Sequence, residues 1–147
     1  MVVQVNGPQM KRVIEDCFER GLDLLRVPEP VCRATFTPFC ERVAADDSGL
    51  CYAWIDGQHA SGFLVASVFQ DPLTGSLDGG EFFWWVSPAC RGEASLSLLQ
   101  RFEDDCRARG CRRVIMGYHE YLRGPTMRRM YRRLGYAVHS GSVTKEL

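Results

Sequence analysis

Glu81-Phe82-Phe83-Trp84-Trp85-Val86-Ser87-Pro88-Ala89-Cys90-Arg91-Gly92-Glu93-Ala94-Ser95-Leu96 is the stretch on which the fold turns. Its first six residues are bulky without alternation, as in a strand covered on both faces and central in a sheet. Ser87-Pro88 ends that strand. A turn of small residues follows, then a helix from near Ser95 with Leu96, Leu99, Phe102 and Cys106 inward and Gln100, Arg101, Asp104 and Arg107 outward. Gly110 closes the helix and Val114-Ile115-Met116 is a second, short buried strand. A strand, a helix and a strand in this order predict a parallel, right-handed crossover.

The turn between strand and helix carries the first chemical signal. The opening turn of a helix leaves backbone N–H groups without carbonyl partners and presents the positive end of the helix dipole. Gly92 permits close approach, and Ala94 and Ser95 do not obstruct it. Such a corner suits a phosphate or pyrophosphate, although the same pattern also describes an ordinary strand-to-helix turn.

Towards the N-terminus, Val2 to Val5 reads as a short strand. Val13, Ile14, Cys17, Phe18, Gly21, Leu22 and Leu25 form the stripe of an amphipathic helix, stopped by Pro28 and Pro30. Thr37-Pro38 reads as an N-cap and first helical residue of a helix reaching about Ala45. Leu50 to Ile55 and Ser61 to Phe69 flank Asp56-Gly57, a hairpin signal, and Gln70 to Gly80 is a loop. Towards the C-terminus, Pro125 opens a last helix with Met127, Met130, Tyr131 and Leu134 on its inner face. Gly135 closes it, and Tyr136 to Val138 and Ser142 to Glu146 are closing strands. The expected fold is α/β, of the α+β kind: a mixed sheet with one crossover and helices on both faces.

The chain has 147 residues, 46% of them hydrophobic and 24% charged, which excludes a disordered chain and fits one domain over 1–147. Its apolar runs are far shorter than the ~20 residues of a membrane span. The N-terminus lacks the basic head, apolar run and cleavage site of a secretory signal, so a cytoplasmic protein is expected. Seven cysteines occur with no C-x-x-C pair, and His59, His119 and His139 are far apart, so reduced thiols and no metal are expected. The net charge of zero hides a split: residues 1–90 hold 6 basic and 12 acidic side chains, and residues 91–147 hold 12 basic and 6 acidic. The basic half points to an anionic partner, either nucleic acid or a phosphorylated small molecule.

Taken together, these segments resemble the GNAT superfamily of acyl-CoA-dependent N-acetyltransferases. Phe83 to Gly92 is similar to that family's strand ending in V-x-P-x-x-R-G. Leu98-Leu99 through Gly110 and Val114 matches its "LL…A…G…V" run, and Met130-Tyr131-Arg132-Arg133-Leu134-Gly135-Tyr136 matches its "lYeklGF". The likeness is strongest over residues 81–147 and extends loosely to small phage and prophage members. It departs in the loop, which is one residue short, keeps a single glycine and carries Glu93.

The resemblance implies a mostly antiparallel GNAT-like sheet, acetyl-CoA as co-substrate, and acetyl transfer to a primary amine by direct attack in a ternary complex. It also implies roles. The edge of strand 81–86 would pair with the pantetheine arm, with a Trp85 or Val86 amide on the thioester carbonyl. The amides of Arg91, Gly92, Glu93, Ala94, Ser95 and Leu96 would hold the pyrophosphate. Tyr131 would protonate the departing thiolate, and otherwise is a core aromatic. Glu81 is the chosen base, over His119, Glu120 or a water-mediated path. Arg128, Arg129, Arg132 and Arg133 face outward, towards solvent, a 3′-phosphate or an acidic partner. Trp84 and Trp85 point to opposite faces, one into the core.

The acceptor is expected to be a small-molecule or peptide amine met by the N-terminal helices and the 70–80 loop, with a homodimer left open. Membrane binding is not expected. Nucleic acid is the weaker reading of the basic half, since no aromatic-interleaved basic stripe or docking motif accompanies it. The alternative to an enzyme is a catalytically weak or inactive GNAT-fold module that binds CoA or is purely structural.

Overall fold

The structure, a computed structural model, describes residues 1–120 and 122–147. It forms two compact units, Met1–Gly117 and Tyr118–Leu147. The first contains β1 (Val2–Gln4), α1 (Gly7–Glu19), α2 (Arg33–Ala45), β2 (Gly49–Asp56), β3 (His59–Gln70), β4 (Leu77–Val86), α3 (Glu93–Ala108) and β5 (Arg113–Ile115). The second contains α4 (Gly124–Arg133).

The sheet runs β1-β2-β3-β4-β5. The first three pairings are antiparallel and the β4–β5 pairing is parallel, as the crossover predicts. Side-chain alternation sorts the sheet into two faces. Cys51, Ala53, Phe63, Val65 and Trp85 join Met10, Ile14, Cys17 and Phe18 in the core under α1 and α2. On the opposite face α3 buries Leu98, Leu99, Phe102 and Cys106. Tyr52 reaches across to it and donates its hydroxyl to Asp105 at 2.7 Å. Gly79 allows α3 to lie close, because a Cβ there would stand 2.3 Å from the Cys106 sulfur. The two tryptophans divide as alternation requires. Trp85 stacks on Phe63 in the α1/α2 core, and Trp84 lies opposite Leu64 on the α3 side.

Several boundaries differ from the sequence reading, each for a local reason. Helix α1 starts earlier, at a capping box in which Asn6 accepts from the Gln9 amide and Gln9 accepts from the Asn6 amide. It ends at Glu19 because Gly21 adopts φ 118°, before the prolines are reached. Helix α2 begins at Arg33, with Pro38 inside it. Packing of Phe36, Phe39 and Val43 on the core outweighs the one hydrogen bond that proline removes. Strand β4 begins at Leu77, so Glu81 lies mid-strand and the loop shortens to residues 71–76. Helix α3 begins at Glu93 rather than near Ser95. Strand β5 is half-buried and ends at Ile115.

In the second unit, Met127 and Met130 are half-buried and Tyr131 is buried, but Leu134 is exposed. Gly135 closes α4 with φ 90°. Residues 136–147 form no strand: Val138 and Val143 are 82% and 98% exposed, and no neighbouring strand supplies a ladder. Among the described residues no helix is long and apolar enough to cross a membrane.

Candidate active site

The pairing of β4 with β5 covers Asp78–Arg113, Gly79–Val114 and Gly80–Ile115 and then stops. From Glu81 to Val86, β3 is the strand paired with β4 among the described residues, and the β5 ladder does not continue along the other edge. The strand expected to be central is central only over its first part. The paired end is fixed by charge. Asp78, fully buried, accepts from Arg113 Nε at 2.8 Å, and the same guanidinium reaches Asp71 at 2.6 Å.

Glu81 is the first residue beyond the last β4–β5 pair. It pairs with Ala66 across the ladder, and its Oε1 accepts the Gly117 amide at 3.0 Å. Its Oε2 is buried and has no hydrogen-bond partner among the described residues. Burial pushes the carboxyl up to about 7, against the opposing pull of the Gly117 amide. A carboxylate poised there can take and return a proton near neutral pH.

Further along, Ser87 donates its amide to Ser61 on β3 at 2.8 Å. Alternation along a strand then directs the Trp85 amide to β3 as well and the Val86 amide to the open edge. Of the two amides proposed for a thioester carbonyl, that of Val86 is available. The Val86 carbonyl accepts from Arg91 Nε at 3.4 Å, which ties the turn back onto the strand end.

Gly92, with φ 99°, caps α3 and turns the chain into it. Leu96 is the first helical residue whose N–H returns to a backbone carbonyl, that of Gly92 at 3.0 Å. The Glu93, Ala94 and Ser95 amides precede it and point out of the helix end. An anion placed there meets these three donors first, while the Leu96 donor is already engaged. Glu93 is exposed, so its carboxylate can turn into water.

In the second unit, Tyr131 is 6% exposed, with Tyr118 and Tyr136 rings at 6.4 and 5.3 Å. Glu120 is ion-paired with Arg128, which also lies over Tyr118 at 5.7 Å, so this carboxylate is committed to a cation. His119 is exposed. Arg129, Arg132 and Arg133 are exposed, as their outward placement predicts.

Sequence reasoning missed the Asp78–Arg113–Asp71 clamp and the point at which the strands part. A signal for the second was present: Gly79-Gly80 precedes a glutamate inside an otherwise aromatic strand.

The unpaired edge of β4, the N-terminus of α3 and the buried Glu81 carboxyl are the features of the first unit that the family comparison bears on. The sequence matches the acetyltransferase (GNAT) family model over residues 11–136, a span that reaches into both units. The chain belongs to the GNAT acetyltransferase family. Among solved structures it is similar to the aminoglycoside acetyltransferase HMB0005 from an uncultured soil metagenomic sample, at 15% identity, covering 100% of this chain and 97% of that chain with a TM-score of 0.73. It is similar to the aminoglycoside N-acetyltransferase AAC(6')-Iy in complex with CoA, at 17% identity, 100% and 93% coverage and a TM-score of 0.74. A third is the ribosomal-protein-alanine N-acetyltransferase from Brucella melitensis biovar Abortus 2308, at 13% identity, 100% and 99% coverage and a TM-score of 0.68. At these identities the likeness is one of fold. No curated protein matches the sequence.

Proposed function

We propose that the chain is an N-acetyltransferase that moves the acetyl group of acetyl-CoA to a primary amine by direct attack in a ternary complex. The observation that carries this reading is the end of β4–β5 pairing at Gly80–Ile115, which leaves residues 81–86 with an open edge leading to the start of α3. The edge suits an amide-bearing arm added as a strand, and the Glu93, Ala94 and Ser95 amides suit a pyrophosphate.

The incoming ammonium gives one proton to Glu81, and the freed nitrogen attacks the thioester carbon. Oxyanion charge is met by the Val86 amide. The new N–C bond forms as the C–S bond breaks, the thiolate takes its proton from the Tyr131 hydroxyl, and the second proton of the nitrogen, acidic once the N–C bond has formed, passes through water to restore the phenol. A phenol has a reference pKa of about 10, close to that expected of an alkyl thiol, so the transfer is nearly balanced. Release of free thiol from acetyl-CoA, measured against an amine panel, tests the reading directly. Acetyl-CoA that binds and is never consumed with any amine would leave a CoA-binding module instead.

A further inference from the structure

The C-terminal end of α3 holds two cysteines in a fixed relation. Gly110, at φ 80°, turns the chain out of the helix. Its amide donates to the Arg107 carbonyl at 3.0 Å, and the Cys111 amide donates to the Cys106 carbonyl at 2.9 Å. This double closure brings the residues on either side of the turn into side-chain contact, where apolar groups ordinarily meet. Here both are thiols, Cys106 buried and Cys111 half-buried, and they share a hydrogen bond. The path from one Cα to the other through the 2.9 Å contact keeps them within the ~7 Å beyond which two cysteines cannot be bridged.

The remaining cysteines lack this combination. Cys17, Cys40 and Cys51 are sealed in the α1/α2 core. Cys32 and Cys90 are more accessible, but their sulfurs bond to Thr35 and Asp56. Within the pair the two sulfurs are not equivalent. Burial and the nearness of Cys111 push the Cys106 thiol up to about 12. Cys111 is raised by its own partial burial, while the bond from Cys106 works the other way. Cys111 is therefore the sulfur that ionises first and that solvent reaches, with Cys106 behind it. Neither thiol is acidic, so what distinguishes the pair is proximity: a sulfur oxidised at Cys111 meets Cys106 before it meets a second oxidant molecule.

We infer that Cys106 and Cys111 are a dithiol that a peroxide closes to a disulfide across the end of α3. The Cys111 thiolate attacks one peroxide oxygen and breaks the O–O bond, which gives a sulfenic acid and hydroxide. The Cys106 sulfur then attacks the Cys111 sulfur, the S–O bond breaks, and the departing hydroxide takes the Cys106 proton and leaves as water. The two thiols together lose two electrons and two protons, and the peroxide is reduced to two waters. The bridge joins α3 to the segment entering β5, where the Arg112 amide donates to the Leu77 carbonyl at 2.8 Å. It lies at the paired base of β4 and β5 and owes nothing to the transferase reading.

The test treats the full native chain with hydrogen peroxide, alkylates the remaining thiols and weighs the tryptic peptides. Those carrying Cys106 and Cys111 should be recovered joined, two hydrogen masses lighter than their sum, and should separate on reduction with dithiothreitol. Cys106→Ser should abolish the joined pair and leave Cys111 as a sulfenic acid that dimedone captures. Cys111→Ser should leave Cys106 an unmodified thiol at the same dose. The inference is overturned if, in the native wild type, Cys111 goes on to sulfinic acid while Cys106 stays a thiol. It is equally overturned if both stay reduced while the exposed Cys32 is oxidised, or if the joined pair forms only in denaturant.

Discussion

At the scale of single residues, the proposed mechanism depends on Glu81 and Tyr131. Because burial holds the Glu81 carboxyl at about 7, turnover should fall as the pH is lowered through about 7 and the base becomes protonated. Glu81→Gln should lower kcat by roughly 10²–10⁴ and abolish that acid limb, as read from pH–rate profiles. A limb that survives the substitution assigns it to another group. The same burial has a stability signature. The folded state keeps the Glu81 proton to a higher pH than the unfolded chain, so the contribution is fully present below about 4.5 and is lost as pH rises to about 7. The loss is on the order of 3 kcal/mol, which denaturant titrations of the wild type and Glu81→Gln across that window should separate. Tyr131→Phe should cut turnover by roughly 10²–10⁴ with acetyl-CoA affinity retained; an undiminished rate makes Tyr131 a packing residue beside Tyr118 and Tyr136. The sequence placed Glu81 on the right strand but at its start, since nothing local distinguishes a strand's first residue from the point where a neighbouring strand departs. The preference for the Val86 over the Trp85 amide was beyond it as well, because ladder phase depends on β3.

At the scale of elements, types were legible and limits were not. The α1 stripe, the Asp56-Gly57 hairpin and the parallel crossover follow from periodicity and turn chemistry. The true start of α2 does not, because the packing of Phe36 and Phe39 decides it against the proline. Tyr136 to Glu146 has strand-forming residues and forms no strand, since a strand needs a partner edge and composition cannot supply one. The junction of β4 with α3 is the element on which the proposed cofactor capture depends. Gly92 holds φ 99°, so Gly92→Ala should destabilise the fold by about 1 kcal/mol or more and weaken acetyl-CoA binding, measured by melting and calorimetry. Where α3 crosses β4, Gly79→Ala drives a methyl group into Cys106 and should cost about 1–3 kcal/mol in chemical denaturation. A neutral result at either glycine would mean that the backbone there yields more easily than its geometry implies.

At the scale of the whole molecule, the charge split read from the sequence follows the division into units only in part, because six of the twelve basic side chains of residues 91–147 lie in the first unit. Residues 118–147 hold 6 basic and 2 acidic side chains. The proposed co-substrate, a phosphorylated one, would meet the same asymmetry that left nucleic acid open. Acetyl-CoA at about 100 times its dissociation constant should stabilise the chain by ~2.7 kcal/mol, several degrees in a melt; no shift at millimolar ligand would remove the transferase reading. The buried Asp78, bound to an arginine that also holds Asp71, has a further consequence. It pins two strands at their base as a rivet joins the arms of tongs, so the base stays shut where the strands part above it. Deuterium uptake should register this gradient. Main-chain protons around Gly79 and Gly80 should exchange slowly with or without a guest, while the outward proton of Val86 should exchange quickly until a guest covers it.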